Sequence, residues 1–396
     1  MSLELDQVTT LFLAIALLVL GTALTRKVGF LRKFCIPAPV VGGLLFALFA
    51  TMFKSLGWLN FTLDTSFQGV FMLAFFTTIG LGASFKLIKL GGKLLVIYWL
   101  ACGFLALAQN AIGVSMAYLF DLHPLIGMMA GAVSMEGGHG AATAFGQTVE
   151  DLGINSALSI GVAAATFGLV AGGLIGGPIV KHLITKYDLK PLETEKAFGV
   201  AVVETEKPIQ TDTFFTQLLI ITFCMALGTY LGELFSTATG FVLPGYVGAM
   251  FLAVIARNII DKINPKTIDM KSIGLVSDVT LGIFLAMALM SIKLWEIADL
   301  ALPLLVIVFV QVVFIVLFAI FVLFRLLGKD YDAAVMVAGF TGHGLGATPN
   351  AMANMAAVTE KFGPSTKAYL IVPIVGAFLI DVFAIPIIIT TINLFQ

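Results

Sequence analysis

The sequence predicts an all-α polytopic membrane protein built as an inverted-topology repeat, with five spans plus one re-entrant hairpin per half. Three observations predict it. Of 396 residues, 59% are apolar and 11% charged, and the mean hydropathy is +1.05, whereas soluble domains carry about 25% charged residues. Two glycine-rich polar stretches, Ser134–Gly146 and Thr341–Met355, break the apolar pattern at matching places in two halves. Lysine and arginine fall almost wholly on one side once the spans are counted, as positive-inside placement demands.

A span needs about 20 apolar residues. The first half, 1–185, holds runs at 8–25, 38–55, 69–86, 94–120 and 155–181. Met1 to Gln7 carries Glu4 and Asp6 but no base. A secretory signal begins with positive charge, so the first run is expected to stay as a span. Between the fourth and fifth spans lies the first polar stretch, 124–150. Residues 186–213 carry mixed charge with Pro191 and Pro208, and read as a cytoplasmic linker. The second half, 214–396, holds runs at 214–235, 243–260, 275–292, 301–327 and 366–394, with the second polar stretch at 332–358.

The halves share short matches in one order. Leu94-Leu95-Val96-Ile97 parallels Leu304-Leu305-Val306-Ile307. Pro39, Gly43 and Phe46 parallel Pro244, Gly248 and Phe251, and Ala130-Gly131 parallels Ala338-Gly339. Let the N-terminus lie outside and let each polar stretch return to the side it leaves. Of the 22 basic residues, all but Lys54 and Lys293 then face the cytoplasm. If 124–150 crossed fully, Lys181 to Lys207 would face outside and the pattern would fail. Five spans per half invert the second half, so the hairpins enter from opposite sides and both termini lie outside.

Net charge is −1 and pI about 6.4, which gives no reason to expect nucleic acid as a partner. Cys35, Cys102 and Cys224 are scattered in or beside apolar runs, match no metal spacing and read as packing residues.

Irregular backbone at membrane depth persists only where protein or a watery cavity satisfies it. Gly137, Gly138, Gly140, Gly342, Gly344 and Gly346 permit tight turns and close backbone approach. Paired half-helices bring helix starts, which attract anions, and helix ends, which attract cations, to mid-membrane. Thr348-Pro349 reads as a helix start with Thr348 as N-cap. Asn350 and Asn354 lie one turn apart on one face, either as site residues or as cross-links between helices. Ser134, Glu136, His139 and Thr143 are the polar members of the first hairpin. His139 and His343 occupy like places inside Gly-His-Gly, as substrate contacts or as buried neutral groups. Glu136 binds a cation, pairs with a base, is protonated, or sits at a watery mouth. Asp381, in an apolar span, is expected to meet a substrate ammonium or Na⁺. Asp278, beside Ser277 and Thr280, is a weaker candidate that helix capping accounts for.

The candidate substrate-binding residues are thus Ser134, His139, Gly140, Thr143, Gly346, Thr348, Asn350, Asn354 and Asp381, with Glu136, Asn354 and Asp381 as Na⁺ ligands. No lysine or arginine falls mid-span. Bringing an anion into a negative cell costs about 2.3 kcal/mol per charge per 100 mV, so entry needs a cation gradient. A channel or an intramembrane enzyme fits less well: His-Glu-x-x-His and Gly-x-Gly-Asp are absent, and Gly82-Ala83-Ser84 lacks the glycine of a rhomboid-like serine site.

Gly344-Leu345-Gly346-Ala347-Thr348-Pro349, Ala353-Asn354-Met355 and Gly137-Gly138-His139-Gly140 resemble the bacterial glutamate:sodium symporter family. So do Asn110-Ala111-Ile112-Gly113, Phe167-Gly168-Leu169-Val170, Gly176-Gly177-Pro178, Leu285 to Met290 with Lys293 to Glu296, Tyr331 to Val335, and Val372-Pro373 to Asp381. The likeness covers nearly the whole chain. It implies an inner-membrane carrier, in the lipid bilayer, that takes up L-glutamate with Na⁺. It also implies crossed hairpins, a homodimer and an elevator-like slide. The alternative is a Na⁺- or H⁺-coupled carrier of another carboxylate or amino acid. Two positions depart from the family pattern: Ala141 replaces a frequent hydroxyl residue, and Glu136 stands where a small or hydroxylic one is expected. Both bear on ion and substrate preference.

Overall fold

Helices close their own backbone hydrogen bonds, which is why apolar runs of this length adopt them. The computed structural model describes residues 2–33, 36–191, 209–292 and 300–396. The first half runs β1 (Ser2–Leu5), α1 (Gln7–Lys27), α2 (Gly29–Lys33), α3 (Ala38–Ser55), β2 (Asn60–Leu63), α4 (Ser66–Gly82) and α5 (Phe85–Leu119). It continues with α6 (Pro124–Met128), a π-helical turn (Met129–Val133), α7 (Gly138–Asp151) and α8 (Ala157–Tyr187). The second half runs α9 (Thr211–Thr239), α10 (Gly245–Ile263), α11 (Met270–Met290), α12 (Ala301–Phe318), a π turn (Ala319–Leu323) and α13 (Phe324–Leu326). Then come α14 (Tyr331–His343), α15 (Thr348–Phe362), α16 (Thr366–Ile374), a π turn (Val375–Leu379) and α17 (Asp381–Phe395).

Eight helices or helical runs among the described residues are long and apolar enough to cross a membrane. They account for eight of the expected runs. The other two, 69–86 and 243–260, correspond to α4, only 17 residues long, and to α10, whose last turns carry Arg257, Asp261 and Lys262. The all-α expectation misses one feature. β1 pairs parallel with β2 from Ser2 opposite Asn60 to Leu5 opposite Leu63, tying the chain start to the α3–α4 connection. Asp6 caps α1 by accepting from the Thr9 backbone N–H at 2.7 Å, and that bond holds its carboxyl below the usual range. Of the expected linker, 192–208 lies outside the described residues, as do Cys35 and 293–299.

Packing partners recur between halves. α1 packs along α3 as α9 packs along α10, and α3 meets α11 as α10 meets α4. Close approach in each pair needs a missing side chain. A Cβ on Gly42 would lie 2.0 Å from the Leu17 carbonyl oxygen, and one on Gly228 2.4 Å from the Ala249 Cα. These six helices form one body, and the remainder, from α5 to α8 and α12 to α17, forms another around the polar stretches. α10 clamps the α4–α5 connection between them. Arg257 Nη1 donates to the Leu81 oxygen at 2.8 Å, Asn258 Nδ2 to the Ala83 oxygen at 2.8 Å, and Ser84 Oγ to Asp261. Arg257 and Asp261 pair at 3.1 Å, nearly shielded from solvent. Just beyond the clamp, α5 bends at Gly92, whose φ of 57° only glycine adopts readily.

Candidate functional site

Each polar stretch folds as two helical arms joined by irregular backbone. In the second, Gly342 packs on Ala351, Gly339 on Met355, and the Tyr331 hydroxyl donates to the Gly363 oxygen, so α14 and α15 lie antiparallel from base to turn. In the first, Gly161 of α8 touches both Met129 and Ala142, so the arms before and after the break lie at one level. α7 has 14 residues, α14 has 13 and α15 has 15. At 1.5 Å rise each is roughly 20–23 Å long, short of a hydrocarbon core of about 30 Å.

The two turns touch. Gly138 has φ of 58°, and a Cβ there would stand 2.6 Å from the Gly346 carbonyl oxygen. α7 begins at Gly138 and α15 at Thr348, and neither start is capped by a side chain. Two helix starts therefore meet at one place, which favours negative charge. There α7 offers its first N–H groups, and α15 that of Thr348, since Pro349 has none and the Asn350 N–H donates to the Ala347 oxygen at 3.0 Å. Beside them the last long run is interrupted by the π turn at Val375–Leu379, after Pro373 removes a backbone donor. π turns of this kind cluster at functional sites.

Polar groups gather around these breaks. Glu136 lies in the non-helical break of the first hairpin at 6% exposure, and neither carboxylate oxygen has a hydrogen-bond partner. It lies within electrostatic reach of Asp381, Tyr98 and Cys102. The Tyr98 hydroxyl stands 3.3 Å from His343 Nδ1. His343 Nε2 has no partner and packs against Gly376. Thr348 Oγ1 donates to the Gly376 oxygen at 2.7 Å, joining the second hairpin to the π turn just ahead of Asp381. Among the described residues no three His, Cys, Asp or Glu converge as metal ligands. Unwound carbonyls and helix ends remain the means of holding Na⁺ in such a site.

Of the expected site residues, Glu136, Gly346, Thr348 and Asp381 lie at the meeting of the breaks. The others point elsewhere. Ser134 Oγ donates to the oxygens of Met129 and Gly161, fixing the first arm to α8. His139 Nε2 meets Thr166 Oγ1 on α8 at 2.9 Å. Gly140 faces Phe75 of α4 and Leu281 of α11. Thr143 is fully buried with its hydroxyl unpartnered. Asn350 Nδ2 donates to the Leu169 oxygen at 3.1 Å, and Asn354 Nδ2 to those of Gly172 at 3.1 Å and Ala338 at 3.3 Å. These contacts are cross-links between helices, one of the two roles their spacing allows. Removing the Asn354 amide deletes two buried hydrogen bonds, each contributing about 0.5–1.5 kcal/mol. Asn354→Ala is therefore expected to lower the melting temperature clearly, and a thermal melt of the purified protein checks it.

Two sequence readings need correction. Thr348 is the first helical residue of α15, not its cap: Ala347 holds that position in extended conformation, and the Thr348 hydroxyl turns to Gly376 instead. His139 and His343 are not in like places. His139 follows its break, on the first turn of α7, whereas His343 precedes its break as the last residue of α14.

Sequence reasoning missed the groups that satisfy the freed backbone. Gln109 Nε2 donates to the Gly344 oxygen at 2.6 Å, in the turn of the second hairpin, and Gln311 Nε2 to the Gln109 oxygen at 2.8 Å. Trp99 Nε1 reaches the Leu379 oxygen at 2.6 Å in the π turn. Lone amides amid apolar spans were the available signal.

These features define a multi-pass membrane protein whose buried polar groups gather where two broken helical pairs meet. Residues 3–364 match the family model described as sodium/glutamate symporter, and the chain belongs to that family. It is similar to the sodium/glutamate symporter of Escherichia coli (strain K12), with 43% identity over 385 residues, covering 96% of this chain and 95% of that one. The sodium/glutamate symporter of Haemophilus influenzae is 40% identical over 389 residues, covering 96% of each chain. Among solved structures, the sodium proton antiporter MjNhaP1 from Methanocaldococcus jannaschii aligns over 98% of each chain. The identity is 16% and the TM-score 0.44, a likeness too slight to bear on the fold.

Proposed function

We propose that this protein takes up L-glutamate together with Na⁺ across the bacterial inner membrane. One observation carries the reading: the uncapped starts of α7 and α15 meet at the Gly138–Gly346 contact, beside two acids. Glutamate carries two carboxylates and one ammonium. Two helix starts suit the carboxylates, and the side chains of Asp381 and Glu136 suit an ammonium or Na⁺. Membership in the sodium/glutamate symporter family supports the same substrate and ion.

The polar stretches are re-entrant hairpins of an inverted repeat, the first entering from outside and the second from the cytoplasm. The shortness of the arms, the recurring packing partners and the placement of basic residues support this layout. Both termini then lie outside. The body holding the hairpins slides against the body of α1, α3, α4 and α9–α11 in alternating access, and the protein is a homodimer. Ser134, His139, Asn350 and Asn354 hold the hairpins to α8. Gly140 lies on the sliding face.

Purified protein in liposomes is expected to accumulate radiolabelled glutamate when Na⁺ is higher outside, and to stop when the gradient is collapsed. Uptake indifferent to Na⁺ would refute the coupling. A panel of other amino acids and dicarboxylates, each with and without Na⁺, separates glutamate from a different anionic substrate.

A further inference from the structure

We infer that Glu136 carries a cation of its own through each transport cycle, adding one positive charge to the count set by Asp381. The inference rests on the proposed Na⁺-coupled uptake and deepens it.

Glu136 is buried in the break of the first hairpin, and neither of its oxygens receives a hydrogen bond. A bare carboxylate so placed costs several kcal/mol even after the protein relaxes. The titratable groups facing it do not remove that cost. Tyr98 and Cys102 on α5 are neutral acids, and Asp381 on α17 is a second carboxyl within electrostatic reach. His343 on α14 is directed to Tyr98 and Gly376, and His139 on the same hairpin is directed to Thr166. Among the described residues no cationic side chain faces Glu136, and the start of α7 beside it supplies only partial positive charge, so neutralising it falls to a proton or Na⁺.

Position makes that cation mobile. Glu136 stands two residues before Gly138, where the two turns touch, so the entry of substrate and water at this contact reaches it first. A net anionic substrate beside two carboxylates also brings three negative charges together in a low dielectric. Like charges so close disfavour one another's ionised form. Neutralising Asp381 alone leaves two of them.

The test compares wild type with Glu136→Gln, which keeps the shape and removes the charge. Proteoliposomes are held at zero potential, and the limiting accumulation of L-glutamate is read against imposed Na⁺ and pH gradients in turn. If Na⁺ rides on Glu136, the variant's accumulation ratio falls by one factor of the Na⁺ gradient. If a proton does, it falls by one factor of the proton gradient. A ratio unchanged in both gradients overturns the inference, because Glu136 is then a permanently protonated fixture. Should the variant transport nothing, the protein in detergent is compared for ²²Na⁺ bound and protons taken up when glutamate is added. The wild type is expected to gain one cation more than the variant, and equal counts overturn the inference. A wild-type protein that accumulates no glutamate refutes the proposed function instead, so the two failures are distinct.

Discussion

Asp381→Asn is expected to lower Na⁺-driven glutamate uptake by roughly a hundredfold, since its proposed partner is Na⁺ or the substrate ammonium and truncating one member of a desolvated charge pair costs about 2–5 kcal/mol. The replacement keeps the side-chain shape, and the backbone around it is already set by the π turn at Val375–Leu379. The protein is therefore expected to elute as a single species and melt near the wild-type temperature. The loss follows from charge. An amide still offers an oxygen to a cation but no longer supplies the negative charge that offsets dehydration. Uptake into proteoliposomes, measured beside a melting curve, decides it: wild-type uptake would remove Asp381 from the site, and a collapsed fold would make it a structural group.

Gly138→Ala carries the second large effect. The residue has φ of 58°, a conformation that costs a side-chain-bearing residue about 1–2 kcal/mol. The new methyl would also stand 2.6 Å from the Gly346 oxygen, which is backbone and cannot swing aside. Overpacking of this kind costs about 1–3 kcal/mol more. The variant is expected to melt well below wild type and to lose uptake. Gly274→Ala is the control: it lies within α11 with nothing near its missing Cβ, and is expected to melt at or above the wild-type temperature. Equal melting of Gly138→Ala and wild type would show that the turns do not touch.

The long helices and both broken pairs were legible because their signals are local. Apolar run length, charge placement and clustered glycine are read residue by residue. The β1–β2 ribbon was not legible, since Ser2–Leu5 and Asn60–Leu63 alternate polar and apolar residues over only four positions each, too short a stretch to stand out. The π turn before Asp381 was hidden for a different reason. Pro373 and Gly376 sit in an apolar run that reads as one span, and Trp99 from α5 and Thr348 from α15 reveal which carbonyls are freed. Within the site, Glu136 and Asp381 stood out because an acid amid apolar residues needs a reason. Asn350 and Asn354 stood out equally, yet they face α8. Spacing places both on one side of α15 but does not say what that side touches. The paired Gly-His-Gly motifs misled likewise, because identical letters fell on opposite sides of the two breaks.

The amides of Asn350 and Asn354 have a consequence for how the site is exposed. They stitch α15 to carbonyls of Leu169 and Gly172 along a strip where Gly172 and Gly176 let the helices nearly touch. A flap that peeled α15 off α8 would leave both side-chain amides without these partners. The second hairpin is thus fastened on its α8 side, and the proposed slide would carry hairpin and helix together, like a drawer rather than a door.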